Sequence, residues 1–453
     1  MIFLKRRRLF FWLVKAYFKK WGKTILLCFL FGLIAFFLLR IAFSYVSTRL
    51  PFVQKETVGL SGVYTSDNLP EEIIAKAGRG LTKIGSDGLP KADLAAGWEI
   101  RDNGKTYVFR LKKGLSFTDG TPFDSEAIHY NFLDVKEERP DKYTIIFKLK
   151  DNYAPFLVTV SKPVFKKNYV GVSDYKIKDI NLNGDFLQSV DLVSAKNDYD
   201  IISYQIYPTD KALKDAYVLG EVRVAEGLSD VIYNNVSLVN FKNTDVVKTV
   251  DKYKLVTLFF NNNDPVLSEK RIRQALSYAI PDNFKNGQTN RGPFSDSIWT
   301  NGASVNTYAQ DFTHSKLLLS ESASATGGAK LKLTITTLSK YEDLAKQIKQ
   351  SWSNIGISTD IKTTDSLPDN FQVFLGDFNV SKDPDQYTLW HSGQDNNITN
   401  YKNLRIDKLL EDGRKTVDFN ERQKIYSDFQ KYLLDDSPAA FLYLPYSYKI
   451  TRI

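Results

Sequence analysis

Apolar residues after residue 55 recur with two different periods along the chain, which predicts a protein built from both strands and helices. In the segment KTYVFRLKKGLSF, Tyr107, Phe109 and Leu111 alternate with Arg110 and Lys112. A period of two is typical of a half-buried strand, because successive side chains point to opposite faces of a sheet. The segment YTIIFKLKD predicts a second strand, and TDGTP at residues 118–122 predicts a turn between them.

A helix is predicted over SEKRIRQALSYAIP, residues 268–281. Ser268 is placed to cap its start, and Pro281 is placed to stop it. Its apolar residues fall on one helical face: Ile272, Ala275, Leu276, Ala279 and Ile280.

A strand–helix–strand unit is predicted next, from LKLTITT, SKYEDLAKQIKQSWSNIG and ISTDIKTT. Ser339 and Glu342 have the spacing of a capping box, and Gly356 closes the helix. The helix would bury Leu344, Ile348, Trp352 and Ile355. The segment SESASATGGAK before this unit reads as a low-complexity surface loop.

The C-terminal region predicts one more helix and one more strand. The helix covers about residues 420–434, is capped by Asp418 with Glu421, and would bury Ile425, Phe429, Tyr432 and Leu433. The tail AAFLYLPYSYKI predicts the strand. This mixture indicates an α/β protein, and 453 residues require more than one lobe because single hydrophobic cores stop growing at about 250–300 residues.

The N-terminal segment has the pattern of a membrane anchor. Residues 24–39 carry no charge, and the apolar character continues past Arg40 to about residue 46, which suits one bilayer crossing. Eight basic residues precede this span, so the positive-inside rule predicts a cytoplasmic N-terminus. A cleaved signal peptide is the alternative, but no small-x-small cleavage site follows the apolar run. Cys28 lacks the preceding small residue expected of a lipoprotein and is the only cysteine, so no intramolecular disulfide is possible.

The formal charge of +9 comes from this same N-terminal segment. Residues 1–55 hold eleven Lys and Arg and no acidic residue, whereas the rest of the chain holds 50 basic and 52 acidic residues. The exported part therefore has a net charge of −2. No basic domain with interleaved aromatic residues is present, so no nucleic-acid partner is expected.

The segment DPDQYTLWHSGQDNNITNYKN, residues 383–403, gathers the side chains that chemistry most often uses. A metal centre is not predicted, because His391, His129 and His314 are far apart and lack metal-ligand spacing. A nucleophile elbow, a phosphate-binding loop and a zinc-protease motif are all missing from the sequence. We therefore expect no catalytic residues and no cofactor, and the protein is not expected to be an enzyme.

The order of motifs resembles the extracellular solute-binding proteins of peptide and nickel ABC transporters, the family of the dipeptide- and oligopeptide-binding proteins. Residues 80–128 are similar to its signature block, with a GL opening, the step DLAAGW, an aromatic-rich strand and the turn FTDGTP. FFNNNDPVLSEKRIRQALSYAI, the strand–helix–strand unit and the block from NYKNLRIDKLL to FLYLP resemble later family segments. One departure is VGVSDYKI, which keeps only Gly171 and Tyr175 of the family's GTGPY motif.

The resemblance implies a periplasmic-binding-protein-like fold of type II, a clam-shell with two large lobes and a small inserted lobe. The N-terminal pattern gives a basic tail at residues 1–23 and a transmembrane helix at 24–48. The resemblance then implies a first lobe at 56–250 with the small lobe at about 81–168, a second lobe at 251–430, and a return to the first lobe at 431–453. Ligand would bind between lobes and be buried by hinge closure.

The resemblance also suggests ligand-binding residues. The family binds a peptide's α-ammonium with an Asp that precedes a Pro-containing turn, and three residues could align with it: Asp377, Asp383 and Asp385. For each, the alternative is an Asp that caps a turn. Trp390 could pack over a ligand or within the core, Asn400 could hydrogen-bond a ligand or remain a solvated amide, and His391 is a further candidate.

The expected function is a membrane-anchored, extracytoplasmic binding protein that captures peptides or peptide-like ligands and delivers them to an ABC permease, acting as a monomer. The altered GTGPY segment motivates an alternative, a sensory or scaffolding domain of the same fold with a degenerate cleft. A third hypothesis is an anchored peptidase.

Overall fold

The computed structural model describes residues 12, 15–17, 19–24, 27, 28, 30–37, 40, 54–295, 297–299, 305, 307–326 and 331–453. The chain divides into two units, residues 1–54 and 55–453. In the first unit the described residues from Trp12 to Arg40 are helical. No helix among the described residues is long and apolar enough to cross a membrane. Much of the anchor predicted at residues 24–48, including all of 41–48, lies outside the described residues.

The second unit contains twenty-two strands among its described residues. In chain order they are β1 Gln54–Ser61, β2 Thr82–Ile84, β3 Pro90–Ala92, β4 Ala95–Arg101, β5 Thr106–Leu111, β6 Val135–Asp141, β7 Thr144–Leu149, β8 Phe165–Lys166, β9 Val170–Gly171, β10 Tyr175–Asn183, β11 Phe186–Ser194, β12 Asp200–Tyr207, β13 Val224–Leu228, β14 Ile232–Tyr233, β15 Val236–Ser237, β16 Thr244–Val250, β17 Lys254–Phe260, β18 Gly287–Thr289, β19 Lys332–Leu338, β20 Ser358–Thr364, β21 Val373–Asn379 and β22 Ala439–Arg452.

Its α-helices are fewer and stand mostly in the second half of the chain. They are α1 Glu71–Ala77, α2 Phe156–Thr159, α3 Asp210–Leu219, α4 Lys270–Tyr278, α5 Phe312–Thr326, α6 Glu342–Ser353, α7 Tyr387–Trp390, α8 Leu404–Lys415 and α9 Phe419–Asp436.

One long mixed sheet runs through the unit in the order β10-β11-β12-β1-β13-β22-β17-β21-β19-β20. The C-terminal strand β22 joins its two halves: its first residues pair with β17, and its last residues pair with β13 and β16. A strand of fourteen residues can bridge both halves because it rises about 3.3 Å per residue. The short strand β18 pairs with β22 beside this junction.

A separate four-stranded antiparallel sheet, β4-β5-β7-β6, lies between β3 and β8 in sequence. We call it the small sheet. Its core combines Tyr107, Phe109 and Leu111, the residues whose alternation predicted strand β5, with Phe147 and Phe156. The hairpin β2–β3 precedes it, and Leu89 at the tip of that hairpin packs against the aromatic cluster of the second half of the chain.

The strand–helix–strand prediction is confirmed. Strands β19 and β20 pair in parallel, helix α6 connects them, and Gly356 takes a φ of +86° after the helix. The predicted stripe is buried against the sheet: Leu344, Ile348, Trp352 and Ile355. Three more predictions are confirmed. They are the apolar stripe on α4, the turn in which Gly120 has a φ of +82°, and the C-terminal strand.

Three local predictions are wrong. Ser268 does not cap α4, because its hydroxyl donates to the Pro265 carbonyl 3.0 Å away. Ser339 forms no capping box, because its hydroxyl donates to Asp365 across the neighbouring strand end. Residues 320–326 of the predicted surface loop are helical and end α5, since Ala and Ser tolerate a helix once it has been started.

Helix α9 is close to its prediction. It spans Phe419–Asp436, and Asp418 accepts a hydrogen bond from the Glu421 amide at 2.9 Å, as a cap should. Its buried face includes Tyr426, which the sequence pattern missed, while Ile425 and Tyr432, both predicted to be buried, are only half-buried. The boundaries of the lobes were assigned from the resemblance and remain predictions.

Candidate functional site

A cavity of about 150 Å³ opens where the chain passes between the two halves of the long sheet. One side is the β2–β3 hairpin, with Gly85 and Ser86, and another is the crossing segment with Lys252 and Tyr253. The remaining walls come from Phe294, Ser295 and Trp299 and from Val380, Ser381, Lys382 and Pro384. The cavity is thus bounded by segments that lie far apart in the sequence.

A second cavity, of about 440 Å³, adjoins the first and shares Lys252, Phe294 and Ser295 with it. Its volume falls in the range of about 300–1,000 Å³ that is usual for small-ligand sites. Gln288 of strand β18 lines it, and among the described strands β18 pairs only with β22. A strand edge therefore borders the cavity.

Two aromatic residues, Phe294 and Trp299, form the floor of the smaller cavity. Phe294 and Trp299 are 7% and 8% exposed and belong to the aromatic cluster around α9. Phe294 meets Tyr426 edge-on at 5.8 Å between ring centroids, and Trp299 meets Phe419 at 5.2 Å. This packing fixes both rings in place, as a pre-formed binding surface requires.

Asp383 is buried immediately behind this floor and forms an ion pair with Arg422. Its two carboxylate oxygens accept from Arg422 Nη1 at 2.8 Å and from Nη2 at 2.5 Å. Burial lowers the pKa of Arg422, but the carboxylate beside it raises that pKa above its usual value. The guanidinium lies 5.3 Å from the centre of the Trp299 ring, so the ion pair supports the cavity floor.

Asp385 forms a second ion pair on the same segment. Its Oδ2 accepts from Arg414 Nε at 2.7 Å, and its Oδ1 accepts from the Tyr387 amide at 3.0 Å. The Arg414 carbonyl accepts from the amide of Ala154, which follows the small sheet, at 2.7 Å. Asp385 therefore both caps its turn and holds the residue on which the small-sheet region docks.

Asp377 lies on strand β21 and does not line either cavity. Lys340 Nζ is 2.7 Å and Lys254 Nζ is 3.9 Å from its carboxylate. Burial and the nearby Asp377 carboxylate raise the pKa of Tyr341. All three candidate carboxylates are thus neutralised by cations of this chain.

Trp390 is fully buried in the core of the second half of the chain. Its Nε1 donates to Gln386 Oε1 at 2.8 Å, and its ring lies near Phe259 and Phe441. A ring with no exposed surface has no contact with the cavities in this conformation.

Asn400 and His391 lie in the turns after α7. Asn400 has a positive φ of 54° and donates to Asn261 Oδ1 at 3.1 Å. His391 Nδ1 accepts from the Gly393 amide at 3.1 Å, and its Nε2 lies 3.5 Å from Glu411. Ligand-binding roles for these residues, like those of the three carboxylates, remain predictions.

The segment 380–384 borders the smaller cavity through Val380, Ser381, Lys382 and Pro384, while the Asp383 carboxylate points to Arg422. The six residues singled out from the sequence are absent from the described lining of the two cavities. Sequence reasoning missed Lys252, Tyr253, Phe294 and Trp299. Lys252 and Tyr253 could have been predicted, because they follow the expected boundary between the large lobes at residues 250–251 and ligand was expected to bind between lobes.

Within the described part of the chain, no group of three or more His, Cys, Asp or Glu side chains is placed to hold a metal ion. The groups that these cavities offer to a ligand are therefore aromatic rings, amide and hydroxyl groups, and basic side chains.

Comparison with known proteins gives one family and many similar folds. A family model described as the bacterial extracellular solute-binding proteins, family 5 Middle, matches residues 90–400. The probable D,D-dipeptide-binding periplasmic protein of Escherichia coli is 23% identical over 411 residues, covering 78% of each chain. The oligopeptide-binding protein AppA of Bacillus subtilis is 23% identical over 468 residues, covering 85% of this chain and 84% of that protein.

Solved structures agree on the fold. The ABC transporter substrate-binding protein CtaP of Listeria monocytogenes superposes with a TM-score of 0.73 at 22% identity, covering 88% of this chain and 94% of that chain. The structure of AppA from Bacillus subtilis in complex with a nonapeptide gives a TM-score of 0.67 at 20% identity, with the same coverage. At these identities the likeness establishes the fold.

Proposed function

The chain belongs to the bacterial extracellular solute-binding proteins of family 5, and from that premise we propose that it captures peptides or peptide-like ligands for an ABC permease. The observation that carries the proposal is the pair of adjoining cavities at the crossing between the halves of the long sheet. Relatives that cover most of the chain are named for binding dipeptides and oligopeptides, and none of those names describes a catalyst.

The ligand would pair its backbone with strand β18. Gln288 lies on that strand and lines the larger cavity, and the strand edge away from β22 has no partner among the described strands. Backbone pairing is independent of side-chain identity, so it suits the capture of varied peptides. The rings of Phe294 and Trp299 would take one apolar side chain.

Capture would proceed by hinge closure. The smaller cavity has walls from the β2–β3 hairpin and from residues 380–384, so relative motion of these walls would open or close it. Lys382 of the second wall forms an ion pair with Glu71 at the start of α1, which gives a contact that closure would make and opening would break. The crossing segment at Lys252 would act as the hinge.

The ammonium-binding role suggested for Asp383, Asp385 or Asp377 stays a prediction. Each carboxylate already holds one or two basic side chains of the chain, Arg422, Arg414, or Lys340 with Lys254. A ligand ammonium would have to replace that partner or share the carboxylate with it. Such an exchange is costly for the fully buried pair, because it leaves an arginine without compensation.

Isothermal titration of the purified full chain against peptide pools tests the proposal. Binding is expected for the wild type, and S295W should lose at least about tenfold in affinity, because Ser295 lines both cavities and an indole would fill them. S353W, on the exposed side of α6, is the matched control. Absence of heat with every pool, in a folded protein, would favour the sensory or scaffolding alternative.

Two further measurements accompany the titration. Mass spectrometry of the mixture should recover intact peptide, whereas cleaved peptide would establish a peptidase. Small-angle X-ray scattering should show a smaller radius of gyration with ligand, and an unchanged radius would remove hinge closure from the proposal.

The anchor at residues 24–48 forms the last part of the proposal and rests on the sequence. Eight basic residues before an uncharged apolar run support an N-terminus that stays in the cytoplasm. The full chain should remain in the membrane fraction after extraction at high pH. Protease added to intact spheroplasts should digest the part of the chain that follows the anchor. Release of the chain into the soluble fraction would contradict the anchor.

A further inference from the structure

The two adjoining cavities carry positive charge without any matching carboxylate in their described lining. Three basic residues line them: Lys252, Lys382 and Arg291. Lys382 pairs with Glu71 and Arg291 pairs with Asp282, whereas Lys252 has no carboxylate partner among the residues that the structure describes. Lys252 is also exposed and is shared by both cavities. One uncompensated positive charge therefore stands at their junction.

Carboxylates near the cavities have partners within the chain. Four form ion pairs: Asp87 with Lys91, Asp282 with Arg291, Glu71 with Lys382 and Asp383 with Arg422. Asp251 accepts a hydrogen bond from the uncharged Tyr253 amide at 2.9 Å and is absent from the described lining of both cavities. A ligand ammonium would meet no free carboxylate in the described lining, while a ligand carboxylate would meet Lys252. The electrostatic preference of the site is thus for an anion.

We propose that the site selects ligands by an anionic group, which Lys252 neutralises, and does not require a free α-ammonium. This inference rests on the proposed function and names its ligand class: peptides or peptide-like acids with a free carboxylate, including N-blocked ones. Tyr253 next to Lys252, with Phe294 and Trp299, supplies an apolar surface for the neighbouring side chain.

Four tripeptide pools of equal composition test the inference. One pool has free termini, one is N-acetylated, one is C-amidated and one is blocked at both ends. Equilibrium dialysis of the purified full chain at low ionic strength, followed by mass spectrometry, measures the bound fraction of each pool. The free and N-acetylated pools should bind about equally, and C-amidation should weaken binding about fivefold, the size of one partly exposed ion pair.

K252Q should reduce this preference for a free carboxylate to less than about twofold, and K252R should keep it, because arginine also carries the positive charge. K178Q is the matched control, since Lys178 is an exposed lysine on β10, away from both cavities. Raising the salt concentration should shrink the preference of the wild type, because the pair is accessible to solvent.

C-amidated peptide bound as well as N-acetylated peptide would overturn the inference. An unchanged carboxylate preference in K252Q would overturn it as well. Asp296 is next to Ser295 in sequence and lies outside the described residues, so D296N is included. A wild-type preference for free amines that D296N abolishes would assign ligand recognition to Asp296 and overturn the inference. Absence of binding by all four pools would overturn the proposed function together with it.

Discussion

Asp383 and Arg422 form a two-point ion pair whose side chains are each only 6% exposed. The pair joins the segment after β21 to helix α9, and Arg422 also donates to the Gly413 carbonyl at 2.8 Å. Because both charges have left water, each depends on the other, and removal of one leaves the second uncompensated. The ion pair therefore stabilises the fold. It also positions the aromatic floor of the smaller cavity, because the Arg422 guanidinium lies against the Trp299 ring.

D383N should lower the free energy of unfolding by about 3–5 kcal/mol, because the Arg422 guanidinium would be left buried and unpaired. Urea denaturation followed by circular dichroism measures the change. D383L combined with R422M, which removes both charges, should recover most of the loss. Equal stability of D383N and the wild type would show that solvent reaches Arg422.

D385N tests the ammonium role predicted from the sequence. Because Arg414 already neutralises this carboxylate, we expect D385N to weaken binding of free-amine and N-acetylated peptides by the same factor. Titration of the full chain with matched peptide pairs gives the two factors, and D383N is compared in the same way after correction for its folded fraction. A greater loss for the free-amine peptides would establish the ammonium role.

G171A should destabilise the chain by about 1–3 kcal/mol, the usual cost of an added methyl in a closed site. A Cβ on Gly171 would lie 2.3 Å from the Ala77 carbonyl oxygen, and backbone cannot move aside easily. Gly97 on β4 is the matched control, since a Cβ there would meet nothing within 4 Å. Thermal denaturation should separate G171A from G97A. Equal melting temperatures would show that β9 and α1 are not in close contact.

The carboxyl group of Asp436 is expected to make the stability of the fold depend on pH. Burial raises its pKa, but hydrogen bonds from Tyr401 and Asn403 and the charge of Lys270 outweigh burial and hold the pKa below its usual 3.8. A carboxyl group whose pKa is lowered by folding stabilises the protein at pH values above its pKa in the unfolded state. This stabilisation is lost as the pH falls through its pKa in the folded state.

D436N should therefore cost about 1–3 kcal/mol at pH 7, where the charged hydrogen bonds are present, and much less at pH 2–3. Urea denaturation at both pH values measures this difference. D435N is the control, because Asp435 is half exposed and its ion pair with Lys270 should contribute little. A loss for D436N that is the same at both pH values would contradict the lowered pKa.

Much of the fold could be predicted because its local patterns and the tertiary packing agree. The alternation in β5, the stripe on α6 and the cap at Asp418 were all read from neighbouring residues, and all are present. Ser268 and Ser339 failed because competing acceptors, the Pro265 carbonyl and Asp365, are supplied by the folded chain. A capping pattern identifies possible donors and acceptors within one segment. It does not show whether a side chain will instead bond to an acceptor that another segment places nearby.

The sequence alone was enough to predict most elements and the family resemblance, and it pointed to residues 383–403, of which Pro384 lines the smaller cavity. Which side chains near that segment face the cavity follows from the three-dimensional packing. Asp383 and Asp385 turn inward because Arg422 and Arg414, from helices that follow in sequence, offer them closer compensation than solvent or a cavity would. Lys252, which lies more than a hundred residues earlier, reaches the cavity because the chain crosses between the two halves of the sheet there. Charge pairing over such sequence separations depends on three-dimensional placement, and local sequence patterns do not contain it.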